Sequence, residues 1–269
     1  MRVSEPVKRY VDTDVFIVVC RCCYVEDSDK YSMHGITCRN DSIPRSGICY
    51  LQSMKSIFSV KEVPVMPWSS PTPYNLKPGL KTFVYLVLGL TLFGLGEAII
   101  IASGAGVSPW TVLAQGIANR VDWSIGFTTM IISFAVLILW IPLRRKPGMA
   151  TILNALIIAF MIDFSLPLLA QPQTPLLQLL QAAFGVLIIG LASGIYLAAN
   201  LGAGPRDGLM TGLQAVTGFP IAWIRIAIEV TEVSVGSYLG GVAGVRTFLF
   251  PFGVGPCVAI GILLVRKFL

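Results

Sequence analysis

Apolar residues fill long, uninterrupted runs from about residue 81 to the end of the chain, and these runs show no alternation with a period of two. Each run is close to the roughly 20 residues that a helix needs to cross a bilayer. In hydrocarbon every backbone N–H and C=O needs a partner within the protein, and long apolar runs meet that need as helices. The pattern predicts an all-α membrane protein with six transmembrane helices, at about 81–103, 125–143, 148–170, 178–200, 219–240 and 246–265.

The apolar part repeats itself with a constant spacing of 96 positions, which defines repeat one (about 81–170) and repeat two (about 178–265). The matched pairs are Gly94 with Gly190, Ala98 with Gly194, Ala102 with Ala198, Gly106 with Gly202, Pro109 with Pro205, Gly116 with Gly212, Gly148 with Gly244 and Thr151 with Thr247. Such self-similarity is typical of transporters built from structural repeats. Because each repeat holds three spans, we expect inverted repeats, each with a short interfacial or re-entrant helix after its first span.

Basic residues cluster on one side of the predicted spans. Lys77, the run 144–146, Arg206 and Arg266 fall on that side, whereas the segment 164–178 contains no Lys or Arg. Under the positive-inside rule this places both termini in the cytoplasm. Composition supports a membrane protein, with 55% hydrophobic and 13% charged residues.

Residues 1–76 differ in composition from the membrane domain, 77–269, and form a separate N-terminal extension. A zinc site would use ligands among Cys20, Cys22, Cys23, His34 and Cys38, but paired C-x₂-C knuckles are absent, and we predict no metal site. The extension shows no sustained amphipathic period and could not bury a core of its own. It is either disordered or upstream of a true start at Met54 or Met66, and Met66 would leave a short proline-rich lead before span one.

The sharpest local motif is the glycine-rich stretch 200–208, which follows span four and opens a second helix. Gly202 and Gly204 permit a close approach of the backbone, and Pro205 suits the first helical position. Free N–H groups at this helix start, with Arg206 and Asp207 beside them, form a candidate substrate-binding site for an anion. The alternative is a structural cap, in which Asp207 satisfies those N–H groups and pairs with Arg206.

Repeat one carries the same junction without the charges. Ser108 is a good N-cap, Pro109 starts the helix, and Trp110 stands where the second repeat has Arg206. An anion site, if present, therefore belongs to the second repeat.

Four ionisable residues within predicted spans form a candidate intramembrane charge network. Arg225, Glu229 and Glu232 share one face of span five, and Glu97 lies beside the small-residue stripe of span one. Ionisable groups at this depth normally face the bundle interior or a cavity. A carboxylate could couple proton movement to transport, or the charges could lock span five structurally, and the sequence leaves both readings open. Asp163 is interpreted as a residue that hydrates at the interface.

Several catalytic patterns are missing from the sequence. It contains no G-x-x-x-x-G-K-[ST] phosphate loop, no H-E-x-x-H, no G-x-S-x-G and no basic cluster with interleaved aromatics. We therefore expect no enzyme activity, no cofactor and no nucleic-acid partner.

The residues of the membrane domain resemble the YczE-like integral membrane proteins of bacteria, which are related to the YitT type. The resemblance covers about residues 80–265 and rests most on the run 201–208 together with Ser108-Pro-Trp110, Arg225 with Glu229, and Gly255-Pro256. It implies a multi-pass protein of the bacterial cytoplasmic membrane and supplies no function.

Taken together, these patterns predict a small secondary-type transporter, or a substrate-binding membrane subunit, for a small organic or anionic solute. The alternative is a non-transporting accessory protein that supports a larger membrane complex. The expected partners are the lipid bilayer and a solute, and the sequence leaves open whether the protein forms a homodimer or joins a membrane complex.

Overall fold

The computed structural model describes residues 66–268, and within this range the regular structure is entirely helical. The helices are α1 Leu80–Ser103, α2 Pro109–Val121, α3 Ile125–Leu139, α4 Met149–Ser165, α5 Pro175–Ala198, α6 Pro205–Thr217, α7 Ile221–Tyr238 and α8 Val245–Phe268, with a 3₁₀ turn at Leu166–Leu168 after α4. The predicted all-α class is confirmed for this part of the chain. The interpretations of residues 1–65, including the cysteine-rich segment and the alternative starts, lie outside the described residues.

Three helical segments of the described chain are long and apolar enough to cross a membrane: Leu80–Ser103, Met149–Leu168 and Pro175–Ala198. A fourth span is reached if α2 and α3, which meet at a bend of 113°, count together as one. By itself α3 has 15 residues, about 22 Å of helix against a hydrocarbon core of about 30 Å. Three of the six predicted spans therefore coincide with helices that could cross a membrane, and the six-span arrangement stays a prediction.

The two short helices predicted after the first span of each repeat are present. Helix α2 and helix α6 each have 13 residues, and each begins at a proline, Pro109 and Pro205. Ser108 caps α2 by accepting a hydrogen bond from the backbone N–H of Thr111 at 3.3 Å. Both helices end in a left-handed residue, Asp122 and Gly218. The starts of α2 and α6 are 96 positions apart, as the sequence repeat requires.

Helices α1 and α5 pack against each other along the centre of the bundle. Helix α4 packs on α1, and helix α8 packs on α5. The short helices cross over: α2 packs on α7 of the other repeat, and α6 packs on α3. Every one of these pairings has a counterpart when residue numbers are shifted by 96 positions.

The small-residue stripes let helices approach closely. A Cβ added to Gly190 would lie 2.5 Å from Cys257, and one added to Gly194 would lie 2.4 Å from the backbone of Gly261. At the crossing of α2 and α7, a Cβ on Gly116 would lie 2.3 Å from the carbonyl oxygen of Gly236. No side chain fits at these positions, which explains the stripes as packing surfaces.

The segment 66–79 packs against the C-terminal end of α5. Ser70 donates its backbone N–H to Ala199 O at 3.0 Å, and the Asn200 side chain donates to Ser70 O at 2.9 Å. The lead into α1 is therefore tied to the membrane domain rather than separate from it, although its first eleven residues, 66–76, fall within the predicted extension.

Candidate functional site

A central cavity of about 160 Å³ lies between the helices. All eight α-helices, together with the residues that cap α2 and α6, contribute to its lining. Its walls combine apolar and aromatic side chains with hydroxyl, amide, carboxylate and guanidinium groups. A concave, mostly apolar space with a few converging polar groups is the usual form of a small-molecule site.

The two repeats line this cavity with equivalent positions. The pairs at a spacing of 96 are Phe93 with Ile189, Glu97 with Ser193, Ser108 with Gly204, Pro109 with Pro205, Trp110 with Arg206, Thr111 with Asp207, Thr129 with Arg225, Ser133 with Glu229, Ile158 with Val254 and Ile162 with Val258. Both helix starts predicted from the glycine–proline junctions therefore meet at one site. The charges are unequal, because four of the five charged lining residues belong to repeat two.

Arg206 lies in the cavity wall, as predicted, but its guanidinium is already occupied. Its Nη2 lies 3.0 Å from Glu229 Oε1 and 3.1 Å from Glu232 Oε2, both on α7. Arg225 Nε lies 2.9 Å from the same Glu229 oxygen, one helical turn away. The four residues form one ionic cluster that joins α6 to α7. Arg225 and Glu229, which the sequence analysis places on one face of span five, form an ion pair one helical turn apart.

The proposed pairing of Arg206 with Asp207 is wrong. Asp207 accepts a hydrogen bond from the side chain of Tyr196 on α5 and forms no ion pair among the described residues. The N-cap residue of α6, Gly204, has no side chain, so α6 begins without a side-chain cap at that position, and Asp207 lies in its first turn. Neighbouring residues on a helix point in different directions, which is why adjacency in sequence misled here.

Glu97 occupies the repeat-one side of the cavity and stands apart from the ionic cluster. It is 8% exposed, and its Oε2 accepts a hydrogen bond from Thr111 Oγ1 at 3.1 Å. Thr111 Oγ1 in turn lies 2.8 Å from Ser108 Oγ, the cap of α2. The predicted inclusion of Glu97 in the charge network is corrected in this respect: it shares the cavity with Arg206 and Arg225 without an ion pair to either.

Two of the predicted substrate-binding residues separate in the structure. Gly204 lines the cavity beside Asn154. Gly202 lies outside the lining and packs against Gly148 and Thr151, where its φ of +117° and a Cβ clearance of 3.0 Å require glycine. Gly202 therefore shapes the junction, and only Gly204 reaches the site.

Glu232 does not line the cavity. Its side chain is 6% exposed, and its one ion pair among the described residues is with Arg206. Removing the single partner of a buried carboxylate strongly destabilises the fold, because an uncompensated buried charge is left.

Asp163 has a structural role that the sequence interpretation missed. Its carboxylate accepts hydrogen bonds from the backbone N–H of Gly126 at 2.7 Å and of Phe127 at 3.0 Å, and from Ser124 Oγ at 2.5 Å. It caps the start of α3 from the end of α4, which corrects the prediction of a merely hydrated residue. A Cβ at Gly126 would lie 2.5 Å from this carboxyl group, so glycine makes the contact feasible.

Several lining residues were not predicted as site residues, among them Thr111, Asn154 and Tyr196. The signal for two others was present in the sequence, because Thr129 and Ser133 stand 96 positions before Arg225 and Glu229. Asn154 and Tyr196 have no such partner in the lining. Within residues 66–268 no group of three His, Cys, Asp or Glu side chains is arranged to hold a metal ion.

Within residues 66–268, a helical bundle with long apolar helices and a mostly apolar interior cavity defines this molecule as an α-helical integral membrane protein. The chain belongs to the family of unknown function DUF6198, whose model matches residues 80–262. No solved structure matches the chain.

The curated relatives agree with this assignment. An uncharacterized protein of Haemophilus influenzae is 35% identical over 199 residues, covering 74% of this chain and 90% of that protein. The uncharacterized membrane protein YczE of Bacillus subtilis is 30% identical over 62% of this chain and 79% of its own. The uncharacterized protein YyaS of the same organism is 26% identical over 62% of this chain and 85% of its own. The resemblance to YczE-like proteins is confirmed.

Proposed function

We propose that this protein is a small secondary-type transporter, or a substrate-binding membrane subunit, that binds a small organic solute in the central cavity. The observation that carries the proposal is the lining itself: ten pairs of positions, 96 residues apart, converge on one cavity. In transporters with inverted repeats the substrate site lies at the interface between the repeats, where interrupted helices begin.

The helix packing supports two inverted repeats within a six-span protein. Helix α2 of repeat one packs on α7 of repeat two, and α6 of repeat two packs on α3 of repeat one. The short helix of each repeat therefore contacts the other repeat. Helices α1 and α5, which are equivalent, pack directly together. A pseudo-twofold axis through the cavity would relate α1 to α5 and would place α2 and α6 against opposite repeats, as these contacts do. With three spans in each half, that axis lies in the plane of the membrane.

The ionic cluster joins α6 to α7, the two helices of repeat two whose relative movement we propose for transport. Arg206 belongs to the short helix α6, and Glu229 and Glu232 belong to α7. A rearrangement of α6 relative to α7 must break or exchange these contacts. We assign the cluster the role of holding the closed arrangement around the solute, with Arg225 retaining Glu229 when Arg206 moves.

A free-anion receptor at Arg206 has less support than an organic-solute site. The guanidinium that would bind the anion already contacts two carboxylates. The α6 start offers N–H groups, but Asp207 in its first turn adds negative charge beside them.

Transport is tested with purified protein in liposomes. A panel of small solutes is first screened by thermal stabilisation, because a ligand that binds only the folded state raises its stability. Counterflow of each stabilising solute is then measured for wild type, Arg206→Ala, Glu229→Gln and Asp122→Asn. Asp122 is exposed at the end of α2 and serves as the matched control for loss of an acid. We expect the first two variants to lose counterflow; unchanged rates in both would show that the roles assigned to the cluster are wrong.

The orientation in the bacterial cytoplasmic membrane follows from the charge bias and is tested separately. Single cysteines at Arg145 and Arg266 should react with an impermeant reagent from the same side, the cytoplasmic one. Reaction from opposite sides would refute the six-span arrangement with both termini inside.

The alternative function, an accessory protein of a membrane complex, is favoured by one observation. The charges on α6 and α7 satisfy one another, as structural ion pairs do. Stoichiometric co-purification of a partner, together with no stabilisation by any solute, would favour this role over transport.

A further inference from the structure

The carboxylate of Glu97 is an unusual group for the interior of an apolar helix. The residue is 8% exposed and lines the central cavity. Its Oε2 accepts a hydrogen bond from Thr111 Oγ1 at 3.1 Å. None of the three ion pairs in the described chain includes it. Arg206 attracts Glu97 electrostatically without a direct ion pair, and its guanidinium is already paired with Glu229 and Glu232. A buried carboxylate without an ion pair of its own is costly unless a ligand supplies a counter-charge.

The cavity as a whole carries an excess of acid. Glu97, Asp207 and Glu229 line it together with Arg206 and Arg225, and Glu232 forms an ion pair with Arg206. Formally this gives four negative charges against two positive ones. The parts of the lining from α2, α3, α4 and α8 bring only hydroxyl, amide, aromatic and aliphatic groups, so no further cation comes from them.

Three aromatic residues, Phe93, Trp110 and Tyr196, line the same cavity as Glu97. Phe93 lies one helical turn before Glu97 on α1, and its ring meets that of Tyr196 edge-on with centroids 6.2 Å apart. Trp110 adds an indole from the first turn of α2. A carboxylate combined with aromatic faces is the chemistry that recognises an ammonium group, through Coulomb attraction and cation–π contact.

The repeat mates of Glu97 and Thr111 are Ser193 and Asp207, so the two halves exchange the carboxylate and the hydroxyl between equivalent positions. Both resulting acids, Glu97 and Asp207, lie in the lining and accept from a neutral hydroxyl, Thr111 and Tyr196 respectively. The cavity thus presents one acid without an ion pair from each repeat.

We propose that the central cavity binds a small organic cation, whose ammonium group lies against Glu97 and the rings of Phe93, Trp110 and Tyr196. This inference names the solute class and rests on the proposed function only in using the same cavity. The volume of about 160 Å³ restricts the ligand to a small one. The arginines are held by Glu229 and Glu232 and leave Glu97 as the anchoring charge.

The test uses the full chain in detergent, with tetramethylammonium and choline chloride as probes. Thermal unfolding is compared with sodium chloride and sodium acetate at equal ionic strength. We expect both organic cations to raise the midpoint by about 3 °C at saturation. Glu97→Gln should abolish this shift, and Asp122→Asn should retain it. A shift no larger than that of sodium chloride, a larger shift with acetate, or an unchanged shift in Glu97→Gln would overturn the proposal.

A second variant protects the test against misfolding of Glu97→Gln. Phe93→Leu keeps the carboxylate and the apolar volume but removes one ring. The concentration for half-maximal stabilisation should rise on the order of five-fold, the size of a modest cation–π contribution. No change would overturn the aromatic part of the site.

Failure of this inference is distinguishable from failure of the transport proposal. Organic cations that stabilise the protein through Glu97 but never cross proteoliposomes would refute transport and leave the site. A transported anion that stabilises Glu97→Gln as well as wild type would refute the cation site and leave transport.

Discussion

Replacement of Arg206 tests how much the ionic cluster contributes to the fold. Arg206→Met removes the charge, keeps much of the apolar stem, and removes an ion pair from each of two carboxylates on α7. Glu229 keeps Arg225 at 2.9 Å, whereas Glu232 loses its one ion pair among the described residues. The main penalty should therefore come from Glu232, which is 6% exposed.

The magnitude follows from distance and burial. At 3.1 Å and an effective dielectric constant of about 20, one pair attracts by about 5 kcal/mol before desolvation is counted. Removing one partner of a buried pair typically costs about 3–5 kcal/mol. Arg206 is 24% exposed, so we place Arg206→Met at the lower limit, about 3 kcal/mol. Glu232→Gln in the same background should recover at least about 1 kcal/mol, because it removes the stranded charge.

The assay is a double-mutant cycle by reversible unfolding in mixed micelles, followed by circular dichroism. Wild type, Arg206→Met, Glu232→Gln and the double variant give the coupling energy directly. A parallel cycle with Glu229→Gln should show a smaller coupling, since Arg225 remains beside Glu229. A coupling between Arg206 and Glu232 below about 0.5 kcal/mol would refute the reasoning, because residues in contact normally exceed it.

Three further predictions concern packing and caps. Gly116→Ala should lower the free energy of unfolding by about 1–3 kcal/mol, because its Cβ would lie 2.3 Å from the Gly236 carbonyl oxygen. Gly255→Ala is the matched control: its Cβ would have nothing within 4 Å, so it should be neutral or stabilising by up to about 1 kcal/mol. Asp163→Asn should cost about 1 kcal/mol by weakening the cap of α3, and Ser108→Ala should cost about as much at α2.

Thermal unfolding in the same detergent checks all three. Equal midpoints for Gly116→Ala and Gly255→Ala would contradict the close crossing of α2 and α7. A neutral Asp163→Asn would mean that solvent replaces its contacts at no cost, and a neutral Ser108→Ala would mean the same at α2.

The sequence predicted the short helices and their starts well because those depend on local chemistry. Ser108, Pro109 and Pro205 act through the backbone within one turn, and glycine stripes imply close packing wherever the partner lies. For the same reason it predicted that Arg225, Glu229 and Glu232 share one face of span five, since helical periodicity is local; it did not predict that only Arg225 and Glu229 line the cavity.

The partners of the charged groups could not be predicted in this way. Arg206 was paired with Asp207 because they are adjacent, but the side chain reaches α7, 23 and 26 positions further along the chain. Asp163 was assigned to water because it lies toward the outer end of span three, near the predicted interface, whereas the start of α3 lies beside it in space. Which side chains meet across a long sequence separation depends on how the helices pack, and the helical period of a sequence carries no information on that packing.

The amino-acid sequence by itself determined the helical class, the internal repeat and the two junctions that begin α2 and α6. These follow from apolar length, spacing and cap chemistry, which act over one turn or one repeat. Only the tertiary structure decided that both junctions meet at one cavity, that Arg206 is neutralised by α7, and that Glu97 lies there without an ion pair. The reason is that each of these depends on side chains brought together by the exchange of α2 and α6 between the halves.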